Sequence, residues 1–226
     1  RSFENFNTGY IDLLQIHNMI DYQTHLPTLE RLQDEGKIKH LGLTNFDTEH
    51  LMRVLDQGIR VVSNQVQFSL IDRRPEARMA PYCQERGIHL LAYGVLAGGL
   101  LTERYLRQPE PGRAALNTAS LSKYKNMVDA WGGWDLFQEL LITLESIAGR
   151  HRVSIASVAV RYVLDRPAVA GVIVGVRLGL AEHRDDNARV FDFDLDEDDL
   201  EKIKLVLSRS RDLYQIIGDC GDEYRR

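Results

Sequence analysis

Five short apolar runs recur along the chain, and each ends in a polar or aromatic residue. Tyr10-Ile11-Asp12-Leu13-Leu14-Gln15-Ile16 ends in His17-Asn18, His40-Leu41-Gly42-Leu43 in Thr44-Asn45, and Val61-Val62-Ser63 in Asn64-Gln65. Ile88-His89-Leu90-Leu91-Ala92 ends in Tyr93, and Val172-Ile173-Val174 in Gly175-Val176-Arg177. Apolar runs of this length between polar boundaries predict buried strands, here at about 10–17, 40–44, 61–67, 88–93 and 170–176. Helical patterns separate the first four. Pro27 predicts a helix start and Gly36 its stop. Asp47 predicts the N-cap of a helix that buries Leu51, Met52, Val54 and Leu55 and stops at Gly58. Pro75 predicts a third helix, ending near Gly87, with Met79 and Cys83 inward. Strands and helices in alternation, with short loops, predict an α/β fold with a parallel sheet and helices outside it. Reactive side chains in such sheets gather at the carboxyl ends of the strands. His17, Asn45, Gln65, Tyr93 and Arg177 are therefore expected on one rim.

The rhythm breaks at 94–133. Gly98-Gly99, Pro109, Pro111-Gly112 and Gly132-Gly133 predict a long loop, the kind that is functional or mobile in a compact domain. Trp131 and Trp134 fall on it, as substrate contacts or as packing for the loop. A helix is predicted from Trp134 to Gly149, another capped by Ser154 and ending before Pro167, and a further one around 180–190. The run Asp196-Glu197-Asp198-Asp199 suits the positive end of a last helix and lacks the alternating ligands and glycine of a calcium loop.

Composition narrows the classes. A length of 226 residues suits one domain, 1–226. A net charge of -5 supplies no basic field for nucleic acid or acidic lipid, and no apolar run is long enough for a membrane span. Two cysteines, Cys83 and Cys220, are too few for a disulfide framework or a zinc site and suit a reducing, cytoplasmic compartment. His25, His40, His50, His89 and His151 show no metal-ligand spacing, so no metal is expected. The chain opens at Arg1 without an initiator methionine, as if cut from something longer.

The strand-end motifs carry a resemblance. Tyr10-Ile11-Asp12-Leu13-Leu14-Gln15-Ile16-His17 resembles the fourth strand of the aldo-keto reductases. Glu35-Gly36-Lys37-Ile38-Lys39-His40-Leu41-Gly42-Leu43-Thr44-Asn45-Phe46 resembles the turn into the fifth. Asn64-Gln65-Val66-Gln67-Phe68 and Ala92-Tyr93-Gly94-Val95-Leu96-Ala97-Gly98-Gly99-Leu100-Leu101 resemble strands six and seven, and Val174-Gly175-Val176-Arg177 strand eight. The resemblance runs in order through residues 9–210. It implies a (β/α)8 TIM barrel, incomplete at its N-terminus with about five parallel strands present, and NADPH-dependent reduction of an aldehyde or ketone as the family activity.

The resemblance also assigns residues. The family uses an aspartate, a tyrosine, a lysine and a histidine. The tyrosine is the general acid, the lysine lowers its pKa, and the histidine aligns the carbonyl. His17 matches the histidine. The other three belong to the first three βα units. Residues 1–16 hold no lysine, and their one tyrosine, Tyr10, begins its strand. The chain by itself is thus expected to bind cofactor without catalysing. The alternative is a non-catalytic scaffold or regulatory binding module, or the product of a truncated gene. On the cofactor side, Thr44, Asn45 and Gln65 match the residues that hold the nicotinamide carboxamide, and Tyr93 the aromatic that stacks on the ring. Leu96 and Gly98 match the loop on the pyrophosphate, although Gly94 stands where the family usually has serine. Gly175 and Arg177 match the turn on the adenosine phosphate, and the Arg177 guanidinium suits the 2′-phosphate of NADPH. Asp186 and Asn187 match the pair at the adenine. The partner implied is a small carbonyl compound, with neither nucleic acid nor membrane. Which compound, and the oligomeric state, stay open.

Overall fold

A computed structural model describes residues 8–17, 22–176, 179 and 183–224. Five strands, β1 (Ile11–Ile16), β2 (Ile38–Thr44), β3 (Val61–Gln67), β4 (His89–Tyr93) and β5 (Val169–Ile173), lie side by side in sequence order. Every adjacent pair is parallel, as the alternation of strands and helices predicts. Ile16 lies opposite Leu43, Thr44 opposite Gln65, Gln67 opposite Tyr93, and Tyr93 opposite Ile173. The helices are α1 (Tyr22–Asp34), α2 (Thr48–Asp56), α3 (Arg74–Ala77), α4 (Met79–Arg86), α5 (Ala119–Trp131), α6 (Gly133–His151), α7 (Ile155–Leu164), α8 (Arg184–Ala188), α9 (Glu197–Leu207) and α10 (Leu213–Ile217).

One sheet face packs on helices. Leu41, Leu43, Val66 and Leu90 join Leu51 and Val54 of α2 and Met79 and Cys83 of α4 in one core. A second core unites Ala92 with α5, α6, α7 and α9. The other face is more polar. A Cβ on Gly42 would lie 2.6 Å from Ser63 Oγ, 3.0 Å from Gln15 Cγ and 3.2 Å from Leu13 Cδ1. Glycine there lets the side chains of β1 and β3 close over β2. Gln15, Ser63 and Gln65 share this face with Leu13, which is 37% exposed.

The capping signals hold. The Asp47 carboxylate accepts from the His50 N–H at 2.7 Å, and Ser154 Oγ from the Ser157 N–H at 3.0 Å, each a contact worth about 1 kcal/mol. Four expectations are corrected. Helix α1 begins at Tyr22, so Pro27 lies inside it. Burial of Tyr22 and Leu26 on one face draws the earlier turn into the helix, at the cost of the bond that Gln23's carbonyl would receive. The helix expected from Pro75 to Gly87 is broken at Arg78, whose φ of -140° separates α3 from α4. The stretch 94–133 is not all loop. Thr118 caps α5, which buries Leu121, Tyr124, Met127, Val128 and Trp131. Trp131 and Trp134 are both buried, so both serve packing. The last strand also ends earlier than expected, at Ile173.

The acidic run opens α9. Asp196 and Asp199 form a capping box, and Arg150 bridges Asp196, Asp198 and Asp199. The Arg150 guanidinium, with help from the Asp199 N–H, holds the Asp196 carboxyl down at about 2, against an ordinary 3.8. A carboxyl with a lowered folded-state pKa favours folding above its unfolded value and loses that contribution as pH falls through the folded one. Thermal melts should therefore lose stability between about pH 4 and pH 2, with a shallower slope in Asp196→Asn. An unchanged slope in the variant would refute this assignment.

Candidate cofactor site at the strand ends

The carboxyl ends of β2, β3 and β4 bring four of the expected residues together. Thr44 ends β2, buried and level with Gln65. Asn45 follows with φ of 59°, a left-handed conformation that asparagine tolerates better than most residues. Its N–H donates to the Gln65 carbonyl at 2.9 Å. Its side-chain Oδ1 accepts from the Tyr93 hydroxyl, also at 2.9 Å. Gln65 Oε1 accepts from Gln15 Nε2 at 3.3 Å. Two amide side chains and one half-buried aromatic ring thus meet on one rim. Amides present both donors and acceptors, which a carboxamide needs on its two sides.

The loop after Tyr93 is shaped by a residue the sequence reading missed. Gly94 has φ of 69°, and a Cβ there would stand 2.2 Å from Tyr124 Oη. A Cβ on Gly98, with φ of 67°, would stand 2.8 Å from Tyr124 Cδ2. The Tyr124 ring therefore lies across both glycines, and the serine expected after Tyr93 would collide with it. Leu96 is half-buried, and its carbonyl accepts from Gly99 and Leu101. Next to Tyr124, Lys123 donates to Gln67 Oε1 at 2.8 Å. Its ammonium lies 4.4 Å from the Tyr124 ring centroid and 5.6 Å from that of Tyr93, within reach of cation–π attraction. Thr118 before a run spaced as Leu121, Tyr124, Val128 and Trp131 was the available signal for this helix.

The remaining candidates stand further out. His17 is exposed just past the end of β1. Gly175 is exposed two residues past β5, with open space where a Cβ would go. Asp186, in α8, accepts from Ser154 Oγ at 2.8 Å, and its carbonyl accepts from Ser157 Oγ at 3.3 Å, so it ties α8 to the start of α7. Asn187 is half-buried beside it, its N–H donating to the His183 carbonyl. Arg177 lies outside the described residues. Among the described residues no helix is long and apolar enough to cross a membrane.

Known proteins resemble this chain in sequence and in fold. Glyoxal reductase of Bacillus subtilis is 28% identical over 207 residues, which are 90% of this chain and 59% of that protein. The solved glycerol dehydrogenase of Gluconobacter oxydans superposes with a TM-score of 0.74 at 25% identity, over 92% of this chain and 62% of that one. An aldo-keto reductase of Klebsiella pneumoniae, solved with NADPH, has the same fold, with a TM-score of 0.65 at 22% identity over 91% and 62% of the two chains. The chain therefore spans about three-fifths of the length of these proteins. The sequence model of the Aldo/keto reductase family matches residues 1–207, and the chain belongs to that family.

Proposed function

We propose that this chain carries the cofactor-binding part of a cytoplasmic, NADPH-dependent reductase that turns a small aldehyde or ketone into an alcohol. The observation that carries the reading is the meeting of Asn45, Gln65 and Tyr93 on one rim. The residues fit a nicotinamide. Tyr93 offers a flat face, and the Asn45 and Gln65 amides match a carboxamide. The Gln65 bond to Gln15 engages its oxygen and leaves its Nε2–H donors to point elsewhere. NADPH supplies the hydride when bound. Leu96 and Gly98 would offer backbone to the pyrophosphate, Gly175 and Arg177 would hold the adenosine phosphate, and Asp186 and Asn187 would serve the adenine. His17 orients the carbonyl oxygen for hydride addition. The neighbour solved with NADPH supports the choice of cofactor.

Titration of the chain with NADPH and NADH, followed by the fluorescence of the reduced nicotinamide, tests this. Arg177→Met is expected to weaken NADPH by about ten- to a hundredfold and to spare NADH, because one charge-assisted contact contributes roughly 1.5–3 kcal/mol. Absence of NADPH binding, or equal loss for both cofactors, would overturn the assignment.

A further inference from the structure

The last described residues are not a loose tail. Gly218 has φ of 108°, and a Cβ there would meet Asp222 Oδ2 at 2.2 Å, so the turn that follows needs glycine. The Asp222 carboxylate accepts from the Asp219 N–H at 2.8 Å and closes that turn. Cys220 sits in it, 1% exposed, in the same core as Phe46 and Leu43. Two polar arms leave the turn: one ends at the start of α2, three residues after Asn45, and the other at Lys123, near the Tyr93 ring.

The first arm is Asp219. Its Oδ2 accepts from the Thr48 N–H at 2.9 Å, at the first turn of α2 and three residues after Asn45. A carboxylate on a helix start is favourable in itself. Here it anchors the start of α2, three residues beyond the left-handed Asn45. The second arm runs through Arg74. Arg74 Nη1 donates to Glu223 Oε2 at 2.9 Å and to the Asp219 carbonyl at 3.1 Å. Its Nε and Nη2 bind the two oxygens of Asp72 at 2.7 and 2.8 Å. Asp72 Oδ2 accepts from Gln67 Nε2 at 2.6 Å, and Gln67 Oε1 accepts from Lys123 at 2.8 Å. The Gln67 amide is thereby oriented by charge at both ends, nitrogen toward a carboxylate and oxygen toward an ammonium. Arg74, Asp72 and Gln67 are all buried, so the relay is shielded from water and its charges act over short distances in a medium of low polarity.

We propose that the C-terminal turn 218–223 is a positioning clamp for the nucleotide site: Asp219 sets the Asn45 turn, and Glu223, through Arg74, Asp72 and Gln67, sets Lys123 beside Tyr93. The part of this that concerns the nucleotide rests on the reading given under Proposed function. The clamp itself is a property of the chain alone. Asp219, Glu223 and Arg74 are positioning residues, for they act through Asn45 and Lys123.

The test uses the 226-residue chain, its Asp219→Asn/Glu223→Gln variant, and a Glu223→Asp variant that keeps the charge. Two readouts are needed. The first, without nucleotide, is the acetylation rate of Lys123 by acetic anhydride, followed by peptide mass spectrometry. The second is the NADPH dissociation constant. Circular dichroism establishes that each variant is folded. The double variant is expected to acetylate at Lys123 several-fold faster and to bind NADPH about tenfold more weakly, the loss of roughly one charge-assisted bond. Glu223→Asp is expected to recover most of both. A lowered melting temperature with Lys123 reactivity and NADPH affinity unchanged would overturn the proposal, leaving the turn as support for the fold. Faster acetylation with unchanged affinity would overturn its link to the nucleotide. If the unaltered chain binds no NADPH, the reading under Proposed function fails, and the Lys123 rate still decides whether the clamp exists.

Discussion

Arg74→Met is expected to destabilise the chain by about 3–5 kcal/mol, the cost of removing one partner from a buried ion pair. Burial opposes the Arg74 charge, yet Asp72 and Glu223 outweigh it and hold the guanidinium above its ordinary pKa. The Arg74 and Asp72 side chains are each 1% exposed, and Glu223 is 9% exposed. Methionine fills similar volume but leaves two largely buried carboxylates without the cation they share. Their mutual repulsion and unmet solvation set the size of the effect, more than the worth of the bonds lost. A second variant separates these contributions. Replacing Asp72, Arg74 and Glu223 together by apolar residues removes the orphaned charges, and should recover much of the loss. Urea unfolding midpoints at constant slope would measure both. A loss below about 1 kcal/mol for Arg74→Met would mean that water reaches the cluster freely.

The chain's sequence made β3 legible to the residue and α2 nearly so, for separate reasons. Val61–Gln67 opens on the apolar pair Val61-Val62 right after Arg60 and lies between two other strands of the sheet. Helix α2 carries its own start signal in Asp47 and its own stop in Gly58. Local chemistry settles such elements. It does not settle α1, where Pro27 read as a start because proline suits a first turn. The tertiary contact of Tyr22 and Leu26 with the core overrode it. Nor did it settle α5, hidden between prolines and paired glycines that punctuate the chain on either side.

The rim divides in the same way. Thr44, Asn45, Gln65 and Tyr93 could be read because each ends an apolar run, and a parallel sheet gathers such ends. Lys123, Gln67 and Tyr124 could not, because Lys123 and Gln67 lie 56 residues apart and only the packing of α5 over the loop joins them. The contact from Arg74 to Glu223 spans 149 residues. No periodicity marks a contact of that kind. The glycine at 94 shows the limit from the other side. It reads as a departure from the family pattern, and the structure gives its cause in the Tyr124 ring.

The 226-residue chain alone is expected not to reduce carbonyls at an enzyme's ordinary rate, even where it binds NADPH. Hydride addition leaves an alkoxide that must gain a proton in or near the transition state, and a positioned acid contributes roughly a hundred- to ten-thousandfold. The family's acid is a tyrosine paired with a lysine. This chain does pair the two, since the Lys39 ammonium lies 3.9 Å from the Tyr10 ring centroid. That pair stands at the wrong end of the sheet. Tyr10 precedes the six residues of β1, so it is about 20 Å from the rim at the rise of an extended strand. At the right end, the Tyr93 hydroxyl already donates to Asn45, and its ring is the proposed platform for the nicotinamide. His17 lies exposed past the end of β1, open to solvent rather than enclosed beside a reacting carbonyl. The measurement is loss of NADPH absorbance with 4-nitrobenzaldehyde and purified chain. Turnover near 1 per second or faster, abolished by His17→Ala, would show that this rim suffices for the proton as well as the hydride and that His17 is essential to it.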